Sequence, residues 1–154
     1  MIVVSDTSCV TNLLAIGQAA LLRELFGEVI IPSAVARELR AAHTALPHFI
    51  REQSAKNVSR TQALADNPLD EGEAEAIVLA EELHADYLLM DEAAGRAVAI
   101  RCGLRVIGLL GLLLRAKDRG MIPAVAPLLD TLERAAGFWM TADLKRRVLD
   151  QAGE

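Results

Sequence analysis

The chain has 154 residues, a net charge of −5 and an apolar fraction of 53%, with aromatics at only 3%. That is about one domain by size, with a core of Leu, Ile, Val and Ala that suits helices packed on a small parallel sheet. The acidic balance argues against a protein held to nucleic acid by bulk charge alone, although bound cations invert the field of an acidic site.

No apolar run approaches the roughly 18 residues of a membrane span, since the richest patch, residues 106–114, is bracketed by Arg105 and Arg115. No basic region precedes the short apolar run at residues 2–4, so no signal peptide is expected. Cys9 and Cys102 are too few for a disulfide framework and lack CxxC spacing, which predicts reduced thiols in a cytoplasm.

Ile2-Val3-Val4 runs into Ser5-Asp6-Thr7-Ser8, which predicts a buried strand delivering a carboxylate to its tip, where a helix begins. Residues 8–16 and 18–26 read as two helices broken around Gly17. Glu28-Val29-Ile30-Ile31 reads as a second strand, and Pro32-Ser33 opens a helix to about residue 42. Between His43 and Asn67 the pattern weakens at Pro47, Asn57, Ser59 and Thr61. An irregular surface excursion is expected there, with a short helix anchored by Phe49-Ile50 and cations at Arg51, Lys56 and Arg60. Residues 69–83 return to helical order, 86–90 form a third strand ending at Asp91, 92–101 a helix closed by Gly103, and 104–107 a fourth strand. Helices are expected over 109–119, 123–136 and 141–151. Strands alternating with helices imply a parallel sheet with right-handed crossovers. With no internal repeat or second composition regime, residues 1–154 read as a single domain.

The acids carry the functional signal. Asp6 and Asp91 occupy equivalent places, each between an apolar strand and a helix. N-capping, at about 1 kcal/mol, explains either one alone. Two such charges at one sheet edge repel unless a cation or a shared proton joins them. Glu73 shares a helix face with Ala76, Ile77 and Ala80, yet Asp70-x-x-Glu73 also fits a capping box, so its side chain is expected to do one job at a time. Glu71, Glu75 and Glu82 point elsewhere and are expected to be solvated. Glu38 lies inside its helix, on the flank of the apolar face, where capping cannot account for it. A carboxylate there is costly to bury unless paired or metal-bound. Arg37 and Arg40 are too close in sequence to face it well, which leaves a partner from elsewhere as the rival explanation.

Several stretches together, in order and spacing, resemble the PIN-domain family, metal-dependent ribonucleases that include VapC-type toxins of bacterial type II toxin–antitoxin pairs. They are Ser5-Asp6-Thr7-Ser8 with Asn12-Leu13-Leu14-Ala15-Ile16-Gly17, then Val29-Ile30-Ile31-Pro32 through Glu38-Leu39, then Leu69-Asp70-Glu71-Gly72-Glu73-Ala74-Glu75-Ala76-Ile77. Leu88-Leu89-Met90-Asp91 and Gly108-Leu109-Leu110-Gly111 continue the likeness, which is similar to a short-chain branch of predicted nucleic-acid-binding proteins. The resemblance implies a three-layer α/β fold, with about four parallel strands flanked by helices and extra C-terminal helices. It implies an acidic metal cluster of Asp6, Glu38, Glu73 and Asp91 supported by Thr7 or Ser8, with RNA as substrate and an antitoxin as companion. Cys9-Val10-Thr11 departs from the expected proline and aliphatics, and Leu109 stands where a threonine is usual. Glu92 is either an auxiliary ligand or a first-turn acid favouring the helix dipole.

Phosphodiester hydrolysis on such a cluster calls for Mg²⁺ or Mn²⁺, hard ions that take oxygen ligands, with two of them ~4 Å apart. Histidine is not needed, and His43, His48 and His84 read as surface or packing residues. Arg96 and Arg101, besides the Arg51–Lys56–Arg60 excursion, are candidate RNA contacts, while Lys145-Arg146-Arg147 is equally well explained as a solvated face. Phe26, Phe49, Tyr87, Phe138 and Trp139 are too few for base stacking to count for much. The apolar C-terminal half suggests a homodimer. Two rivals remain. An aspartyl-phosphate phosphatase would use Asp6 as nucleophile, but Ser8 stands where its second aspartate belongs. The other is a catalytically silent PIN-like protein that binds nucleic acid or an antitoxin.

Overall fold

Strands of two or three residues, too brief to stand alone, pair here into one sheet. The structure is a computed structural model and describes residues 1–65 and 68–154. Strands β1 (Val3–Ser5), β2 (Val29–Ile31), β3 (Ile50–Glu52), β4 (Tyr87–Leu89) and β5 (Val106–Ile107) run parallel in the order β3-β2-β1-β4-β5. Around them lie α1 (Thr7–Ala15), α2 (Ala20–Phe26), α3 (Ser33–Ala42), α4 (Val58–Ala65), α5 (Glu71–Glu82), α6 (Ala93–Arg101), α7 (Leu109–Asp118), α8 (Ala126–Ala135) and α9 (Ala142–Gln151).

The period of two along each strand splits the core into two layers. Val3, Val29, Ile31 and Leu89 face the larger one, with α1, α2, α3, α7 and α8. Val4, Ile30, Leu88 and Met90 face the other, with Ala76, Ile77, Leu79 and Ala80 of α5 and Ala99 of α6. Burial on both faces is why these strands read as continuous apolar runs rather than as alternation.

The connections from β1 lead outward to β2 and β3, and those from β4 lead the other way to β5. Adjacent strands whose connections diverge leave a crevice at their carboxyl ends, which is where open α/β sheets bind ligands. Here that crevice lies between β1 and β4.

Several expectations need correction. The sheet has five strands among the described residues, not about four. Ile50 begins the edge strand β3, with Phe49 in the turn before it, in place of the expected short helix, and Val58–Ala65 is a helix. Positions 66 and 67 of the expected excursion lie outside the described residues. Glu75 and Glu82 are not merely solvated. Glu75 accepts the Ala34 N–H at 2.8 Å in the first turn of α3, and Glu82 accepts those of Lys56 (2.9 Å) and Asn57 (2.8 Å).

Glu154 closes the opposite flank of the fold. It accepts from Lys117 Nζ at 2.8 Å and from the N–H groups of Val125 and Ala126 at 2.7 and 3.0 Å. Those bonds, Lys117's first, hold its carboxyl down to about 2. No helix among the described residues is long and apolar enough to cross a membrane.

Candidate active site

Asp6 and Asp91 meet because their strands are neighbours in register. Ser5 pairs with Leu89, and the Asp6 N–H donates to the Leu89 carbonyl at 3.0 Å, carrying the ladder one residue beyond β1. Asp6 is 2% exposed. Its Oδ1 accepts the Cys9 N–H at 3.1 Å, making it the N-cap of α1, and its Oδ2 accepts from Ser8 Oγ at 3.1 Å. Asp6 therefore caps α1 from a position that also lines the crevice.

Asp91 Oδ1 accepts the Leu109 N–H at 2.7 Å, and its Oδ2 faces the Cys9 thiol at 3.5 Å. Leu109, which departs from the family pattern, thus serves Asp91 through its backbone while its side chain is buried in the core. Cys9, the other departure, touches both aspartates: its N–H reaches Asp6 and its thiol reaches Asp91. Burial, then the charges of Asp6 and Asp91, push the thiol well above the ordinary cysteine range, so it stays a protonated donor.

The two glutamates arrive on helices. Glu38, on α3, accepts from Thr7 Oγ1 at 2.6 Å. Glu73, on α5, forms the capping box: its N–H donates to Asp70 Oδ1 at 2.7 Å, and its Oε1 accepts the Asp70 N–H at 3.2 Å. Its Oε2 is buried without any hydrogen-bond partner. The capping job expected of Glu73 is therefore carried by one oxygen, and the other is left unengaged.

Three glycines make room for these acids. Among the ten in the chain, a Cβ would approach another atom within 3.0 Å only at Gly72, Gly95 and Gly108. At Gly72 it would meet Glu38 Oε1 at 2.9 Å, and at Gly95 Met90 Sδ at 2.7 Å and Glu73 Oε2 at 2.8 Å. At Gly108 it would meet a terminal nitrogen of Arg96 at 2.6 Å and Asp91 Oδ1 at 3.0 Å. Each tight glycine touches a different one of the acids.

Asp6, Glu38 and Glu73 line one cavity of about 330 Å³ with Thr7, Ser8 and Glu92. Asp91 lines an adjoining cavity of about 1080 Å³ with Arg96, and Ser8, Asn12 and Glu92 border both. Arg96 donates to the Met90 carbonyl at 3.1 Å. Arg101 is exposed at the far end of α6 and lines neither cavity.

Among the described residues none of the four acids forms an ion pair. The arginines that flank Glu38 in sequence are engaged elsewhere, Arg37 with Glu71 at 2.9 Å and Arg40 with Glu52 at 2.8 Å. Desolvation by burial, then the charges of Asp91 and Glu73, push Asp6 up to about 7, against the hydrogen bonds from Cys9 and Ser8. Burial also raises Glu73 and Asp91, the latter restrained by the Leu109 N–H, the Cys9 thiol and Arg96.

Such a set suits a hard divalent cation in donor chemistry, since every acid offers oxygen and Glu73 Oε2 has no other partner. No group of three or more His, Cys, Asp or Glu among the described residues is gathered tightly enough to hold an ion as it stands. The fit lies in uncompensated charge and available oxygens, not in a finished coordination shell.

A family model described as a PIN domain matches residues 2–154. No curated protein and no solved structure matches the chain.

Proposed function

Because the chain belongs to the PIN-domain family, whose members are commonly nucleases, we propose that it is a metal-dependent endoribonuclease and the toxin of a type II toxin–antitoxin pair. The observation that carries this reading is the convergence of Asp6, Glu38, Glu73 and Asp91 on the β1–β4 crevice with no cationic side chain paired to them among the described residues. Left bare, a buried carboxylate beside others favours its protonated form, and a dication relieves the same repulsion.

On this reading the four acids would hold Mg²⁺ or Mn²⁺, which supplies Lewis acidity and positive charge where the scissile phosphate gains negative charge. Ser8 and the Cys9 N–H fix both oxygens of Asp6, and Thr7 holds Glu38. Glu73 Oε2, which has no other partner, would be its oxygen toward the ion, while its Oε1 keeps α5 capped. Arg96, tied to the Met90 carbonyl beside Asp91, faces the phosphate. RNA is the substrate, a cognate antitoxin the protein partner, a homodimer the assembly and the cytoplasm the setting.

One observation favours a second reading, a catalytically silent PIN-like protein that binds nucleic acid or antitoxin. Glu38, Glu73 and Asp91 are all engaged by hydrogen bonds within the chain, short of a closed coordination shell. Cleavage of a labelled RNA pool, with Mg²⁺ or Mn²⁺ titrated from EDTA, separates the two. The nuclease reading expects cleavage that needs the ion and disappears in Asp6→Asn and Asp91→Asn. Absence of cleavage by the wild type, or cleavage by both variants at the wild-type rate, overturns it.

A further inference from the structure

The larger cavity runs from Asp91 and Glu92 to the loop between α8 and α9. On its wall stands Trp139, 81% exposed, the most exposed of the large apolar side chains and the only tryptophan in the chain. Tryptophan is highly buried on average, so an indole this open calls for an explanation.

The loop is built to hold it outward. Gly137 takes φ +63°, a left-handed turn that ends α8, and the Phe138 N–H returns to the Leu132 carbonyl at 3.0 Å. Phe138 then packs against the core, Met140 is 7% exposed, and Thr141 caps α9. With inward anchors on both sides, the backbone at Trp139 is held in place and its indole stands in solvent at the cavity wall.

The same cavity carries Arg96 and Arg115. Neither makes an ion pair among the described residues, and Arg115 is held over the Tyr87 ring at 4.8 Å. Of the other basic candidates, Arg51 is paired with Glu28, Arg60 with Glu81, Lys145 with Asp130 and Glu133, and Arg146 and Arg147 with Asp143, while Lys56 and Arg101 lie outside this cavity. Two pinned guanidinium groups and one flat aromatic face therefore share a groove that opens into the acidic crevice. A polyanion with exposed planar faces matches that combination, and a duplex, whose bases are already stacked on one another, does not.

We infer that this groove is a subsite for single-stranded RNA, in which Trp139 stacks an unpaired base while Arg96 and Arg115 face the backbone. The inference rests on the ribonuclease reading for its choice of RNA, and it departs from the expectation that the aromatics are too few for base stacking to count for much. Their number is small, but one of them is placed on the path of the strand.

Trp139 emission reports on the groove without competition from any other tryptophan. The wild-type protein is titrated in EDTA, so that no strand is cut, with a mixed-sequence oligoribonucleotide of about 10 nucleotides, within the usual span of a single-strand site. An abasic sugar–phosphate oligomer of equal length and the corresponding duplex serve as comparisons. Saturable quenching by the single strand, and little by the other two, is expected. Affinity of a labelled strand should fall at least about fivefold in Trp139→Ala, the scale of one lost base–aromatic stack, and largely recover in Trp139→Phe. No quenching by the single strand, equal quenching by the abasic oligomer or duplex, or unchanged affinity in Trp139→Ala overturns the inference. Quenching without metal-dependent cleavage upholds the subsite and defeats the nuclease reading. Cleavage with no quenching does the reverse.

Discussion

Replacing Asp6 by asparagine should stabilise the metal-free protein while destroying its metal response. In the unfolded chain Asp6 gives up its proton near 3.8, and in the folded one near 7. Between those values the native state binds a proton that the unfolded state does not, so the carboxylate progressively destabilises the fold as pH rises across that window. From 3.8 to about 7, at ~1.4 kcal/mol per tenfold change in proton affinity, the cost approaches roughly 4 kcal/mol at pH 8. Asparagine imitates the protonated acid, keeps an oxygen for the Cys9 N–H and is itself a good N-cap. After local relaxation, a gain of about 2–4 kcal/mol is expected, or about 5–15 °C in Tm for a domain of this size. The assay is thermal denaturation of wild type and Asp6→Asn from pH 4 to 8 in EDTA, repeated with Mg²⁺. Near pH 4 the two curves should nearly coincide. At pH 8 the variant should melt higher in EDTA, and Mg²⁺ should raise only the wild type. A variant less stable than wild type at pH 8, or one still stabilised fully by Mg²⁺, would refute the reasoning.

Gly95→Ala should leave stability within about 1 kcal/mol of wild type, because alanine's helix propensity offsets the shift of two flexible side-chain ends, but it displaces Glu73 Oε2 and Met90. Denaturant melts together with single-turnover cleavage check it, the latter falling about tenfold or more if that oxygen belongs to the reaction. Thr7→Val removes the 2.6 Å bond to Glu38 at an exposed position. Stability should change by less than about 1 kcal/mol, while the ion concentration needed for half-maximal cleavage rises. Glu154→Gln should lower Tm at pH 7, because the Glu154 carboxyl is depressed from 4.5 to about 2 and its contribution is complete only above 4.5. As pH falls toward 2 the two melting curves should converge, and a gap that persists there would contradict the assignment.

The sheet centre was legible because β1, β2 and β4 are buried on both faces and read as apolar runs ending in Asp6, Pro32 and Asp91. Strand β3 was not, because it pairs with β2 alone and only Ile50 of its three residues is buried. The helix α4 buries none of its side chains, so no periodic stripe marked it. Within the crevice the acids were readable from their position at element starts, or, for Glu38, from the lack of any capping role. The link from the Cys9 thiol to Asp91 spans 82 residues and has no local signature. That Arg51 and Arg60 are consumed by Glu28 and Glu81 also needed the fold, since those pairs join residues more than twenty apart. That Trp139 is the most exposed of the large apolar side chains among the described residues likewise needed the fold, since composition counts aromatics without placing them.

If Asp6, Glu38, Glu73 and Asp91 act as one dication site, removing any one of them should weaken the binding of the ion. Equilibrium binding of Mn²⁺ to the wild type and to Asp6→Asn, Glu38→Gln, Glu73→Gln and Asp91→Asn at pH 8 tests it without reference to turnover. The account predicts saturable binding by the wild type and, for each variant, a loss of affinity of about tenfold or more. Binding that is absent from the wild type, or untouched by all four substitutions, would contradict it.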